Sequence, residues 1–367
     1  MKKKILLIAG TRPNFIKLAP LYHRLSSNPA FDAKICHTGQ HFDFNMSDIF
    51  WQNLEIPAPD FQLNVKGDGV VDTIGKTLLG VNEVIKNNSF DLAIVFGDVN
   101  ATAAGALAGA QSGIKVMHVE AGLRSFDRTM PEEVNRVITD HVADWLMVSE
   151  ESGMTNLKKE GIDANKCRMV GNIMIESLLH TQSKWENIEL PGSLAEFAKK
   201  NPVVMTFHRP ENVDQKKNLE RVVKIISTMA AEYPVIFPIH PRTKAKMEQF
   251  GLLQVLSQNN NILMTEPLSY FFFLKIVSMS ALVITDSGGV QEETSFLHIP
   301  CVTFRKNTER PVTVELGSNL MMDIWDDEFE IKIRDHVKLQ AKKKRTPIPL
   351  WDEKVSQRIS EFISSHL

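Results

Sequence analysis

Short, continuously apolar runs rich in Val and Ile alternate along this chain with longer segments of helical periodicity, and that alternation admits few folds. One series of runs occupies residues 4–9, 33–37, 92–96, 115–119 and 145–148; a second occupies 203–206, 235–239, 262–264, 282–285 and 301–304. Helical patterns fall between them at 13–25, 72–86, 102–111, 131–142, 219–231 and 289–296. A strand that is apolar on both faces must be covered on both. A helix between two such strands carries the chain back over the sheet, so the strands run parallel. Each series therefore predicts an α/β half built on a doubly wound parallel sheet.

At 367 residues the chain is long for one such half and comfortable for two. Residues 180–201 hold Lys184, Glu186, Asn187, Pro191, Gly192 and Ser193 with little periodicity, and read as a linker followed by a second start. A last amphipathic helix is expected at about 353–366, after the basic run Lys342-Lys343-Lys344-Arg345, which reads as a solvated helix end. The formal net charge of −2 offers no global basic surface for nucleic acid. Lys2-Lys3-Lys4 precedes an apolar run of only residues 5–9, followed by Gly-Thr-Arg-Pro, which does not make a signal peptide. No apolar stretch approaches the ~18 residues that span a membrane. Cys36, Cys167 and Cys301 lie far apart with no Cys-x-x-Cys, which argues against disulfides and a thiolate metal site. The chain reads as cytoplasmic, with no membrane insertion.

Open α/β sheets bind ligands outside the carboxyl ends of their strands, and five polar clusters stand there. In Gly10-Thr11-Arg12-Pro13, Gly10 permits a sharp turn and Pro13 suits a first helical position. Arg12 and Lys17 are then either cations reaching an anion at the helix N-terminus or surface charges of a helix start. No G-x-G-x-x-G or P-loop follows any strand, so a dinucleotide held in the usual Rossmann manner is disfavoured. In Gly97-Asp98-Val99-Asn100, Asp98 is either a helix cap or a site carboxylate. His118-Val119-Glu120-Ala121-Gly122-Leu123-Arg124 puts Glu120 at a strand end, and Pro131-Glu132-Glu133 opens a helix whose two acids suit its dipole. Adjacent helical residues point about 100° apart, so Glu132 and Glu133 need not share a role. Asp98, Glu120 and Glu132 can converge, and carboxylates in one site push each other's pKa values apart, which allows acid and base on opposite faces of a ligand.

The other two clusters lie in the second half. Phe207-His208-Arg209-Pro210-Glu211-Asn212 sets a His-Arg pair at a strand end, which suits a phosphate; His240-Pro241-Arg242-Thr243 repeats the idea more weakly. Thr285-Asp286-Ser287-Gly288-Gly289-Val290-Gln291-Glu292-Glu293 leaves bare backbone N–H groups before a helix, for which a pyrophosphate is the natural guest. Glu293 lies about one turn into that helix, where its carboxylate can accept from ribose hydroxyls, and Arg310 follows the next strand.

In these residues the chain resembles the non-hydrolysing UDP-N-acetylglucosamine 2-epimerase family, of the glycosyltransferase-B fold. The matches run in order from Gly10-Thr11-Arg12-Pro13 through Thr38-Gly39-Gln40-His41, Gly97-Asp98, the stretch from His118 to Arg124, Pro131-Glu132-Glu133, Asn135-Arg136 and Gly171-Asn172. They continue through His208-Arg209 and Asp286-Ser287-Gly288-Gly289 to Glu309-Arg310-Pro311. The resemblance implies two Rossmann-like doubly wound domains facing a central cleft: 1–183 with the returning helix 352–367, carrying the catalytic carboxylates, and 184–351, binding UDP. It implies Asp98, Glu120, Glu132 and His208 as catalytic residues. It implies that Arg12, Lys17, Arg136, Arg209, Phe273, Ser287, Gly288, Gly289, Glu293 and Arg310 line the substrate. Neither a metal nor a cofactor is implied, and the family is commonly homodimeric. Departures mark a separate branch: Asn14-Phe15 where many members have an acidic residue, Pro210 after His208-Arg209 in place of a second Arg, and Leu268 in place of a nucleotide-facing Gln.

The implied reaction is reversible C2 epimerisation of UDP-N-acetylglucosamine to UDP-N-acetylmannosamine, supplying precursors for cell-surface polysaccharide. The C2 proton is not next to a carbonyl and no nicotinamide motif offers oxidation, so elimination of UDP to a 2-acetamidoglucal and its re-addition is the expected route. Alternatives are a C2 epimerase of a UDP-diacetamido sugar or uronic acid, and a UDP-sugar transferase of the same fold. A non-enzymatic nucleotide-sugar sensor would not need the three carboxylate clusters.

Overall fold

The computed structural model describes residues 2–39, 51–344 and 346–367. Gln40, His41 and Arg345, named above, lie outside the described residues. The chain divides into two compact units, Met1–Thr181 with Pro349–Leu367, and Gln182–Ile348.

The first unit holds β1 (Lys3–Ala9), β2 (Phe31–His37), β3 (Phe61–Gln62), β4 (Leu92–Phe96), β5 (Lys115–Ala121), β6 (Trp145–Val148) and β7 (Cys167–Met169). They form one sheet in the order β3-β2-β1-β4-β5-β6-β7, every pair parallel. The second unit holds β8 (Val203–Thr206), β9 (Val235–Pro238), β10 (Ile262–Thr265), β11 (Leu282–Thr285), β12 (Cys301–Phe304) and β13 (Asn319–Met322). They form a parallel sheet in the order β10-β9-β8-β11-β12-β13. The fold class expected from the alternation is borne out: both sheets are doubly wound, with helices between successive strands.

The strands are parallel because they are apolar on both faces. Ile5, Leu6, Leu7, Leu92, Ala93, Ile94 and Val95 are all sealed from solvent. Small residues set how closely the helix Asn100–Gln111 lies on its sheet: a Cβ on Gly105 would stand 3.1 Å from both Ile8 and Val95. A methyl there would require Ile8 and Val95 to give way by a few tenths of an ångström.

Three strands escaped the sequence pattern. β3 and β7 are too short to show a period, and β13 opens on the polar Asn319. The stretch 180–201 is also more ordered than a linker, with helices at Gln182–Asn187 and Gly192–Ala198. Its anchors, the buried Trp185, Leu194 and Ala198, are too widely spaced to read as an amphipathic pattern.

The last helix, Val355–His366, packs on Arg12–Ser26 and Ile173–His180 of the first unit. Its first turn is held by the buried Glu176, which accepts from the Ser356 backbone N–H at 2.6 Å and from its hydroxyl at 2.5 Å. No helix among the described residues is long and apolar enough to cross a membrane.

Candidate active site

In each sheet the strand order reverses beside the first strand of that sheet, between β1 and β4 and between β8 and β11. Crevices form at such reversals, outside the carboxyl ends of the strands. The polar clusters of the sequence fall at or next to both.

In the first unit Asn14 joins β1 to β4. Its Oδ1 accepts from the backbone N–H groups of Gly10 and Thr11 at 3.2 and 3.3 Å, while its Nδ2 donates to the Phe96 carbonyl at 2.9 Å. A carboxylate here would accept but could not donate. Arg12 lies exposed at the helix start.

Asp98 follows β4 and is not a cap: the N-cap of the next helix is Val99, with no side-chain cap bond. Asp98 instead pairs with Arg136, whose guanidinium also holds Glu133 at 2.8 Å. The Asp98 carbonyl accepts from Asn135 Nδ2 at 3.0 Å. The helix Pro131–Val142 therefore clamps the Asp98 turn through two side chains. Glu132 and Glu133 part company as their angular separation predicts. Glu133 is buried and accepts from the N–H groups of Ser125 and Phe126 at 2.9 and 3.0 Å. Burial pushes its carboxyl up, but those donors and Arg136 bring it below its usual value. Glu132 is half-buried on the first turn.

Glu120 sits where the β5–β6 register slips between Val119 and Ala121. Its φ is 73°, a left-handed conformation rare outside glycine. That turn of the backbone sends a buried carboxylate onto the buried ammonium of Lys17. Gly97 makes the room: its φ is 62°, and a Cβ there would stand 2.8 Å from Lys17 Nζ. The two strand ends are also bonded directly, Gly97 N–H to the Val119 carbonyl at 3.0 Å.

Beneath them lies a group the sequence reading passed over as part of a strand. His118 is wholly buried, with Nδ1 2.6 Å from Asp140 and Nε2 2.7 Å from the Gly97 carbonyl. Asp140 also takes Arg124 at 2.7 Å and the Gly122 N–H at 3.0 Å. Burial pushes the Asp140 carboxyl up; the His118 ring and Arg124 outweigh that and hold it below its usual value. This network fixes the turn that carries Asp98. Nothing in the sequence marks it, because Asp140 lies in the last turn of the helix Pro131–Val142 with no motif around it.

In the second unit His208 and Arg209 leave β8 beside Asp286 and Ser287, which leave β11. Ser287 precedes the helix Gly288–Leu297, whose first turn is bare. A Cβ on Gly288 would meet Arg310 Nη1 at 2.8 Å, whereas one on Gly289 would meet nothing within 4 Å. Gly288 thus admits the guanidinium, and Gly289 leaves the helix end open. Gln291 ties the turn down: its amide donates to the Ser287 carbonyl at 3.3 Å, and its oxygen accepts from Thr308 at 2.8 Å and Asn319 at 3.1 Å.

Arg310 pairs with Glu292 at 2.8 Å, Arg305 with Glu309 at 2.9 Å, and Arg209 approaches Glu309 at 4.0 Å. Three guanidiniums thus gather with the carboxylates of Glu292 and Glu309 around the helix start, whose own backbone N–H groups suit an anion. Arg305, buried and absent from the sequence reading, belongs to this set. Glu293 is buried behind it, and burial raises its carboxyl to about 8, with the Tyr270 hydroxyl opposing and Glu292 reinforcing the rise. Phe273 is half-buried on the helix Tyr270–Ser278, against the apolar cluster of Leu194, Val204, Val283 and Val290.

The profile of the UDP-N-acetylglucosamine 2-epimerase family matches residues 23–364. The chain is 39% identical to the UDP-N-acetylglucosamine 2-epimerase of Methanocaldococcus jannaschii, over 98% of this chain and 99% of that one. It is 40% identical to the UDP-N-acetylglucosamine 2-epimerase of Methanococcus maripaludis, over 87% of each. Among solved structures, that of the Methanocaldococcus jannaschii UDP-GlcNAc 2-epimerase with UDP-GlcNAc and UDP superimposes with a TM-score of 0.87 at 39% identity, covering 100% of both chains.

Proposed function

The chain belongs to the UDP-N-acetylglucosamine 2-epimerase family and is an isomerase, and from that premise we propose that it inverts C2 of UDP-N-acetylglucosamine by eliminating UDP and adding it back. The observation that carries this reading is the pair of carboxylates at neighbouring strand ends, Asp98 held by Arg136 and Glu120 held by Lys17.

In the elimination a carboxylate takes the proton from C2. The C2–H electron pair becomes the C1=C2 bond of a 2-acetamidoglucal, and the C1–O pair leaves with UDP. In the return step UDP oxygen attacks C1 and C2 receives a proton on the opposite face, giving UDP-N-acetylmannosamine. Proton transfer falls to Asp98, Glu120 and Glu132. UDP carries the departing charge, so cations and oriented N–H groups must meet it. The Ser287–Gly289 turn with Arg310, Arg209 and His208 suits that task. Ionised, Glu293 would accept from the ribose hydroxyls, and Phe273 would lie along the nucleotide. The product feeds polysaccharide precursor synthesis.

Incubation with UDP-N-acetylglucosamine alone, followed by NMR, tests the reading. The account expects an equilibrium with UDP-N-acetylmannosamine. No change without an acceptor sugar would point to a transferase, and free N-acetylmannosamine with UDP to a hydrolysing enzyme. The same incubation with a UDP-diacetamido uronic acid decides between sugars.

A further inference from the structure

His208 stands at the strand reversal of the second sheet, and the group that aims it stands on the next strand. Asp286 follows β11 and is wholly buried. Its carboxylate gathers donors from one short segment. The backbone N–H groups of His208 and Arg209 reach Oδ2 at 3.0 and 2.9 Å, the Asn212 amide reaches it at 3.1 Å, and His208 Nδ1 lies 2.9 Å from Oδ1. Burial pushes the Asp286 carboxyl up, but these partners hold it below its usual value. It is therefore an anion that only accepts, and the ring nitrogen facing it must carry a proton.

The opposite nitrogen lies on the outward edge of the ring. The His208 side chain is 37% exposed, while that of Asp286 is 0% exposed. The His240 ring packs at 5.5 Å from that of His208. Burial and the charges of His208 and Arg242 lower His240 despite Asp286, and its Nδ1 accepts the Arg242 N–H at 3.2 Å. Protonation of the neighbouring ring is thus disfavoured beside His208.

We propose that Asp286 is the positioning residue of the leaving-group site: it grips His208 by Nδ1–H so that an Nε2–H can be presented to the β-phosphate of UDP, donating to it as it departs from C1 and released again as it returns. This rests on the reading that His208 serves the leaving diphosphate. Asp286 itself does not touch substrate. The relation has the form of a carboxylate orienting a histidine in a hydrolase triad, applied to a departing phosphate.

The test uses the full chain with His208→Ala, Asp286→Asn and the double variant. Turnover of UDP-N-acetylglucosamine and UDP affinity are both measured. Asp286→Asn is expected to lower kcat about 100-fold, with UDP affinity within about threefold, and the double variant is expected to be no slower than His208→Ala alone. An unchanged kcat in Asp286→Asn, or losses that multiply in the double variant, would overturn the role of Asp286 while leaving His208 in place. A wild-type kcat in His208→Ala would instead overturn the leaving-group assignment itself. One measurement needs no Asp286 variant to fold: the 15N spectrum of the wild-type histidines, with His208 assigned by difference from His208→Ala. The account expects a protonated Nδ1 on His208; a ring protonated on Nε2 alone would contradict it.

Discussion

Lys17, on the helix after β1, places its ammonium against the carboxylate of Glu120 at the end of β5, and both side chains are buried. A buried pair is costly to form and worse to break, because the survivor is left as an uncompensated charge. Lys17→Met and Glu120→Gln should each lower unfolding free energy by about 3 kcal/mol, and the double variant should lose less than the sum. Urea unfolding of the three proteins checks this; additive losses would show that the pair is not coupled.

Arg136 pairs with the Asp98 carboxylate, and Asn135 holds its backbone carbonyl. Asp98→Asn keeps the shape and removes one of the three carboxylates proposed to move the proton. Its kcat should fall by about 100-fold or more, while UDP affinity measured by calorimetry stays near that of the wild type. Loss of UDP binding would make Asp98 a ligand contact instead.

Glu176 couples the last helix to pH. Burial raises its carboxyl from 4.5 to about 7, against the two bonds from Ser356. An acid whose pKa is higher folded than unfolded is bound to its proton more tightly in the native state. Its contribution is therefore fullest below pH 4.5 and is lost as pH rises from there through about 7. Glu176→Gln preserves the acceptor for Ser356 and removes the titration. The variant should be more stable than the wild type at pH 8 and should show a flatter pH dependence above pH 5, read by urea unfolding across that range. Equal slopes would exclude Glu176 as the source.

Glu293 makes a related prediction for binding. Its carboxyl, raised to about 8, is largely protonated at neutral pH in the unliganded protein. Ribose hydroxyls that donate to it favour the ionised form. UDP should therefore bind more tightly as pH rises from 7 towards 8 and should expel a proton on binding. Calorimetry in two buffers of different ionisation enthalpy measures the proton directly; uptake of a proton, or none in either direction, would contradict the assignment.

The legible parts of this chain were those written in consecutive residues. The buried strands of both sheets show as apolar runs, and the turn Ser287-Gly288-Gly289 shows as bare backbone between a strand and a helix. What did not show were relations between distant positions. Asn14 looked like a departure, yet it bonds Phe96 across 82 residues. His118 reads as a strand residue until Asp140, 22 positions on, closes on its ring. Asp98 was open between cap and site until Arg136, 38 positions away, was seen to hold it. The left-handed Glu120 has no sequence sign at all, since backbone strain at a non-glycine residue is imposed by tertiary structure.

The central claim is that the C2 proton is removed and replaced while UDP is detached. Conversion of UDP-N-acetylglucosamine in deuterated water, followed by proton NMR of the hexosamine, tests it most directly. The account predicts deuterium at C2 of the UDP-N-acetylmannosamine formed. Product that retains protium at C2 would contradict it.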